Sequence, residues 1–193
     1  EDVIDLGYGN PDIPSHELVV EKLIESAQIK KNHKYSVSKG IHGLRNAVAN
    51  KYLREYKINL DPGKNIVNTI GSKEGLTHLL MSILNKGDNV VVQDPSYPIH
   101  HYAPLIAGAN VIKIECLSSE NFLNNLNTTL TSQEVKAVLV SFPHNPTTLT
   151  VNQDFYDELV SLARRYNFLI INDFAYSDIY FNEEKPPSLL NSD

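Results

Sequence analysis

Sulfur, tryptophan and surplus positive charge are all scarce in this chain of 193 residues, which has one cysteine, one methionine and no tryptophan. A single thiol, Cys116, cannot close an internal disulfide, which fits a reducing compartment. Lys and Arg number 17 against 23 Asp and Glu, a net charge of -6. That balance disfavours nucleic acid as the main partner, because phosphate binding needs a surplus of cation. No apolar run approaches a membrane span, and no basic-then-apolar leader is visible. The sequon Asn127-Thr128-Thr129 is accordingly expected to go unused. These absences predict a soluble, acidic, cytoplasmic protein with no nucleic-acid or membrane partner.

What is present suits a packed core. Hydrophobic residues make up 41% of the chain and charged residues 21%. The length allows one ordinary domain, or one and part of another. The chain enters directly on the strand-like Val3-Ile4-Asp5-Leu6 and stops soon after Pro186-Pro187, so it is expected to be part of something longer.

Along the chain, the loop Gly7–Pro14 is dense in turn formers. Ser15 is expected to cap a helix reaching about Lys30, with Val20, Ile24 and Ala27 on one side. Leu44, Val48, Tyr52 and Tyr56 recur every four residues and predict a helix over 43–57. Strands are predicted at 66–70, 89–93, 111–116, 136–142 and 168–171, most of them apolar without alternation. Helices are predicted from Leu76 to Leu84, near 98–107, and from the capping-box pattern at Thr150–Gln153 onward. The Asn-rich stretch 121–127 reads as a solvated connection. Apolar strands separated by amphipathic helices predict an α/β fold, a mostly parallel sheet with helices on both faces.

In such a sheet the ligand belongs at the carboxyl ends of the strands. Four polar clusters follow predicted strands: Gly71-Ser72-Lys73, Asp94–Tyr97, His144–Thr147 and Asp173–Tyr176. Gly71-Ser72-Lys73 opens a helix, where free N–H groups and the dipole can cradle a phosphate; a plain turn with a Ser cap is the alternative. Asp173 would lie partly desolvated at the rim and need a cationic partner, either a metal or a protonated pyridine nitrogen. Tyr176 can bring a phenol near the same ring, and Tyr97 offers a flat face for stacking.

Six motifs, in order, carry a resemblance over essentially the whole chain: Gly7-x-Gly9-Asn10-Pro11-Asp12, Lys34-Tyr35-Ser36-x-Ser38-Lys39-Gly40, Gly71-Ser72-Lys73-Glu74-Gly75, Asp94-Pro95-Ser96-Tyr97-Pro98, Pro143-x-Asn145-Pro146-Thr147 and Asn172-Asp173-x-Ala175-Tyr176. Together they resemble the class I/II aminotransferases, fold-type I enzymes dependent on pyridoxal 5'-phosphate. The wording is most similar to the bacterial glutamate–pyruvate and LL-diaminopimelate aminotransferases. The resemblance implies that Asp173 holds the pyridine nitrogen protonated and that Tyr97 stacks on the ring. Tyr176 and Asn145 would reach the 3'-oxygen, Asn145 also lying near the substrate carboxylate. Backbone N–H groups of Ser72 and Lys73, after Gly71, would hold the phosphate. Tyr35 would reach the phosphate of a neighbouring subunit, which implies a homodimer with shared sites. The backbone of Gly9 would approach the substrate carboxylate, where a Cβ would intrude. A cis bond at Asn145-Pro146 is also implied.

One element of the family pattern is missing. The Schiff-base lysine would follow Asp173 in a Ser-x-x-Lys context, whereas the single later lysine, Lys185, sits in Glu183-Glu184-Lys185-Pro186-Pro187, read as an exposed turn. The chain is therefore expected to be an incomplete large domain (15–193) with an N-terminal substrate-site arm (1–14), inactive by itself. Alanine or a similar donor with 2-oxoglutarate or pyruvate is the expected substrate pair. A carbon–sulfur lyase on the same cofactor and a non-catalytic aminotransferase-like module are the alternatives. Ser36-x-x-Lys39 lacks the partner motifs of a β-lactamase, and His100, His101 and His144 lack metal-ligand spacing, so they read as isolated polar histidines and no metal is expected.

Overall fold

The computed structural model describes residue 4, residues 12–181 and residues 183–192. The chain divides into two units, Glu1–Ser38 and Lys39–Asp193. In the first, α1 runs Glu17–Gln28. Its cap is His16 rather than Ser15: the ring Nδ1 accepts the Leu18 N–H at 3.2 Å, one residue nearer the helix than expected. The helix also ends before Lys30. Asn32 Nδ2 donates to the Ser26 carbonyl and a His33 ring nitrogen meets that of Ala27, each at 2.8 Å, which satisfies last-turn acceptors. Lys30–Asn32 then form a separate 3-10 turn. Val20 and Ile24 are exposed, and no residue of α1 is buried.

The second unit opens with α2, His42–Tyr56. It ends at Lys57, whose φ of 62° turns the Lys57 and Ile58 N–H groups back onto Leu53 and Tyr52. Residues 66–70, expected as a strand, are irregular. No described strand runs beside them; Asn68 N–H donates to the Lys39 carbonyl, and only Ile66 of the apolar residues is buried. An extended segment without a ladder partner is not a strand.

After α3, Ser72–Ile83, strands and helices alternate, as expected except at α5: β1 Asn89–Asp94, α4 Pro98–Ile106, β2 Asn110–Glu115, α5 Ser119–Ser132, β3 Ala137–Ser141, α6 Gln153–Tyr166 and β4 Leu169–Asp173. The cap of α6 is Asn152, whose side chain accepts the Phe155 N–H at 3.2 Å, not Thr150. The stretch 121–127 is not a solvated connection but the middle of α5. Phe122, Leu123, Leu126 and Leu130 bury one face, and Ser118 caps the start by accepting the Asn121 N–H at 3.1 Å. Burial of that face outweighs the weak helix propensity of asparagine.

The four strands are all parallel, in the order β2-β1-β3-β4. Alternation along each strand sorts the core into two layers. Val91, Ile114, Val138 and Val140 pack against Phe122, Leu126, Phe155 and Leu159 of α5 and α6. Val90, Val92, Ala137 and Leu139 pack against Leu80 of α3 and Ala103 of α4. The sheet is thus covered on both faces. Strand β1 leads outward to β2 and strand β3 outward to β4 on the other side, so the topological switch point lies between β1 and β3. Among the described residues, no helix is long and apolar enough to cross a membrane.

Candidate active site

The rim of the sheet at the carboxyl ends of the strands collects the polar clusters. Gly71 precedes α3 with φ 92° and ψ 144°, a conformation open to glycine and strained for any residue with a Cβ. No side chain caps this helix, and Ser72 does not take that part. Its first turn therefore presents backbone N–H groups that no cap has satisfied. Lys73 Nζ lies 5.2 Å from the centre of the Tyr97 ring, over its face.

Tyr97 is the N-cap residue of α4, placed there by the turn after β1. Three residues on, its ring meets His100 edge-on, with centroids 5.9 Å apart. His100 is not an isolated polar histidine: it is 1% exposed, and its Nε2 lies 2.8 Å from Asp173 Oδ2. Asp173 ends β4, and its Oδ1 accepts the Ala175 N–H at 3.2 Å. A bond to a carboxylate needs a proton on Nε2, and Nδ1 has no partner in the structure. The His100 hydrogen bond holds the Asp173 carboxyl below the usual range, against burial, which pushes the other way. Its side chain is 23% exposed, so the acid is half-sheltered and ionised at neutral pH.

On the other side of the switch point, Asn145 Nδ2 donates to the Tyr176 hydroxyl at 3.2 Å. The Asn145-Pro146 bond is cis, as the resemblance implies; Asp94-Pro95 and Phe142-Pro143 are cis as well. His144 is buried, with Nδ1 2.6 Å from Thr147 Oγ1, and burial followed by the charge of His100 lowers its pKa. Among the described residues, no three His, Cys, Asp or Glu side chains are grouped to hold a metal ion.

The donor set fits pyridoxal phosphate. Asp173 still has lone pairs beyond those used by His100 and Ala175 and can take a pyridinium N–H. Tyr97 offers a ring face, Asn145 and Tyr176 offer a polar pair, and the uncapped start of α3 suits a phosphate. The family model for class I and II aminotransferases matches residues 1–192. The chain belongs to this family.

Among its relatives, the glutamate-pyruvate aminotransferase AlaC of Escherichia coli K12 is 41% identical over 192 residues, covering 98% of this chain and 47% of that protein. The LL-diaminopimelate aminotransferase of Aquifex aeolicus is 38% identical over 191 residues, covering 98% and 49%. Of solved structures, substrate-bound BacF from Bacillus subtilis aligns with a TM-score of 0.89 at 31% identity, covering 98% of this chain and 49% of that one. The aspartate aminotransferase of Thermotoga maritima aligns with a TM-score of 0.86 at 33% identity, covering 100% and 51%. The chain spans about half the length of the relatives it matches. The fold is that of an incomplete fold-type I large domain, and members of this family use pyridoxal 5'-phosphate.

Within this member of the family, Gly71, Ser72 and Lys73 lie at the start of α3, Tyr97 at the start of α4 and Asp173 at the end of β4, while Asn145 and Tyr176 lie in the loops that follow β3 and β4, all in the second unit. Tyr35 is exposed and belongs to the first unit. Gly9 lies outside the described residues. His100 went unrecognised in the sequence, although its spacing from Tyr97, three residues into a helix that starts at the rim, puts both on one side. Lys185 is not in an exposed turn. Its side chain is 24% exposed, ion-paired to Glu55, 3.6 Å from Asp178 and 5.1 Å from the centre of the Tyr56 ring.

Proposed function

We propose that the protein carrying this chain is a cytoplasmic, homodimeric, pyridoxal-phosphate-dependent aminotransferase. It would move an amino group between alanine or a similar amino acid and a 2-oxo acid, with glutamate and 2-oxoglutarate or pyruvate on the other side. The observation that carries the reading is the ionised Asp173 at the end of β4, backed by buried His100. When bound, pyridoxal phosphate supplies an electron-poor ring that draws the electron pair from the substrate's breaking Cα–H bond.

Each residue has a separate task. Asp173 keeps a proton on the pyridine nitrogen, and His100 keeps Asp173 ionised and oriented. Tyr97 would offer its ring face for stacking on the cofactor ring. Asn145 and Tyr176 would hold the 3'-oxygen, with Asn145 also near the substrate carboxylate. The N–H groups of Ser72 and Lys73 after Gly71 anchor the phosphate. The substrate-site arm assigned to residues 1–14, with the Gly9 backbone at the carboxylate, and the assignment of Tyr35 to the neighbouring subunit's phosphate rest on the family resemblance alone. The remaining task, moving a proton at the substrate carbon, would need a lysine amine. Lys185 is engaged by Glu55 and Asp178 and would not serve as that amine.

Pyridoxal phosphate absorbance and coupled assays on the whole protein test the reading. Asp173→Asn should bind the cofactor but lose at least about a hundredfold in kcat with alanine and 2-oxoglutarate. Release of ammonia without formation of glutamate would identify a lyase instead. A protein that neither binds nor turns over would be the non-catalytic module.

A further inference from the structure

We propose that Gln93 is a positioning residue that sets the crevice between β1 and β3, and with it the spacing of the Tyr97 and Asn145 loops; the assignment rests on the cofactor reading above. The outer ladders run to the rim: β1 stays in register with β2 as far as Asp94 and Glu115, and β3 with β4 as far as Ser141 and Asp173. The central ladder does not. Strands β1 and β3 pair only from Val90 with Ala137 to Val92 with Leu139. The two middle strands therefore part at the switch point, and the Ser141 N–H loses the main-chain acceptor that a continued ladder would supply.

Gln93 replaces it. Its Oε1 accepts the Ser141 N–H at 2.7 Å, and its Nε2 donates to Cys116 Sγ at 3.3 Å. The residue is 1% exposed and follows Val91 on the face covered by α5 and α6, where its neighbours in the core are apolar. A position meant only for packing would carry another aliphatic side chain, since a buried amide is costly unless both ends are bonded. Here both are. The amide bridges the end of β3 to the residue after β2, while its own backbone sits in β1.

The loops on either side explain the use of such a spacer. Asp94-Pro95-Ser96-Tyr97 begins one residue after Gln93, and Phe142-Pro143-His144-Asn145 one residue after Ser141. A fixed Gln93–Ser141 link thus sets the spacing of the loops that carry Tyr97, which would stack on the ring, and Asn145, which would reach its 3'-oxygen.

The test compares Gln93→Met, of similar shape without the amide, with Gln93→Glu, which keeps an oxygen acceptor. Amide exchange in the whole apoprotein should accelerate at Ser141 by about tenfold in Gln93→Met, with Val138 to Val140 unchanged, and return towards wild type in Gln93→Glu. Pyridoxal phosphate affinity should fall by a similar factor and recover in the same variant. Should Gln93→Met not fold, Cys116→Ala removes only the Nε2 acceptor and should raise Ser141 exchange severalfold. Unchanged Ser141 exchange overturns the spacer, and so does faster exchange with undiminished affinity. A wild-type protein that takes up no pyridoxal phosphate overturns the cofactor reading instead, and with it the Tyr97–Asn145 role, while the Ser141 exchange still reports whether Gln93 holds the strand.

Discussion

His100 Nε2 lies 2.8 Å from Asp173 Oδ2, joining the first turn of α4 to the last residue of β4. The two residues are 73 positions apart, and the contact gives the rim acid a built-in donor from beneath. It leaves the outer lone pairs of the carboxylate for whatever cation the rim receives.

His100→Phe removes that donor and should destabilise the fold by about 1–3 kcal/mol near neutral pH, because a partly buried carboxylate loses its partner. The folded pKa of Asp173 is depressed, so the stabilisation is full above its unfolded value of about 3.9 and disappears as pH falls through the lower folded value. Urea unfolding of wild type and variant should therefore differ by a constant amount at about pH 6 and converge below about pH 4. Equal stability at both would show the bond to be idle.

Lys51, Asp178, Lys185 and Glu55 form a closed ring of alternating charge, with Lys51 2.5 Å from Asp178 and 3.6 Å from Glu55. It straps the segment after Tyr176 to α2. The hydrogen bond from Lys185, helped by Arg54 and Lys51, lowers the pKa of Glu55 to about 2. The ring's contribution is thus present above the ordinary carboxylate value and lost as pH falls towards about 2. Lys185→Met should unfold at lower urea than wild type at about pH 6, with the gap closing in acid and narrowing in high salt. Lys185→Arg should retain most of it. A gap insensitive to both salt and acid would mean that Lys185 acts only by packing on Tyr56.

The parallel sheet and its rim were legible because unbroken runs such as Val90–Val92 and Val138–Val140 have few other uses, and polar clusters following them mark the ligand edge. What escaped depends on partners distant in sequence. Residues 66–70 have strand composition but no described neighbour to pair with. Lys185 reads as a surface lysine beside two prolines, and only the fold brings in Glu55 from 130 positions away. His100 was hidden by its neighbour: His100-His101 reads as a polar pair, yet the helix turns the first towards β4 and leaves the second beside Tyr102.

The Asn-rich segment supplies a direct contrast. If 121–127 were a solvated connection, Phe122→Ala and Asn124→Ala would both be nearly neutral. Within α5, Phe122 is fully buried and its truncation should cost about 3–5 kcal/mol. Asn124 is exposed on the opposite side, and Asn124→Ala should stabilise by a few tenths of a kcal/mol through helix propensity, roughly the spread between the two residues. Chemical denaturation of the two variants distinguishes the cases.

Gly71 separates backbone strain from crowding. A Cβ built there meets nothing within 4 Å, so Gly71→Ala tests the φ of 92° alone. Holding alanine in that region should cost about 1–3 kcal/mol, or else the backbone rotates and re-aims the first N–H groups of α3. The second outcome has its own signature. Pyridoxal phosphate affinity should drop by about tenfold in Gly71→Ala while affinity for pyridoxal, which lacks the phosphate, stays the same, since only the phosphate would use those groups. Parallel losses for both ligands would place the phosphate elsewhere on the rim and leave the glycine a purely conformational role.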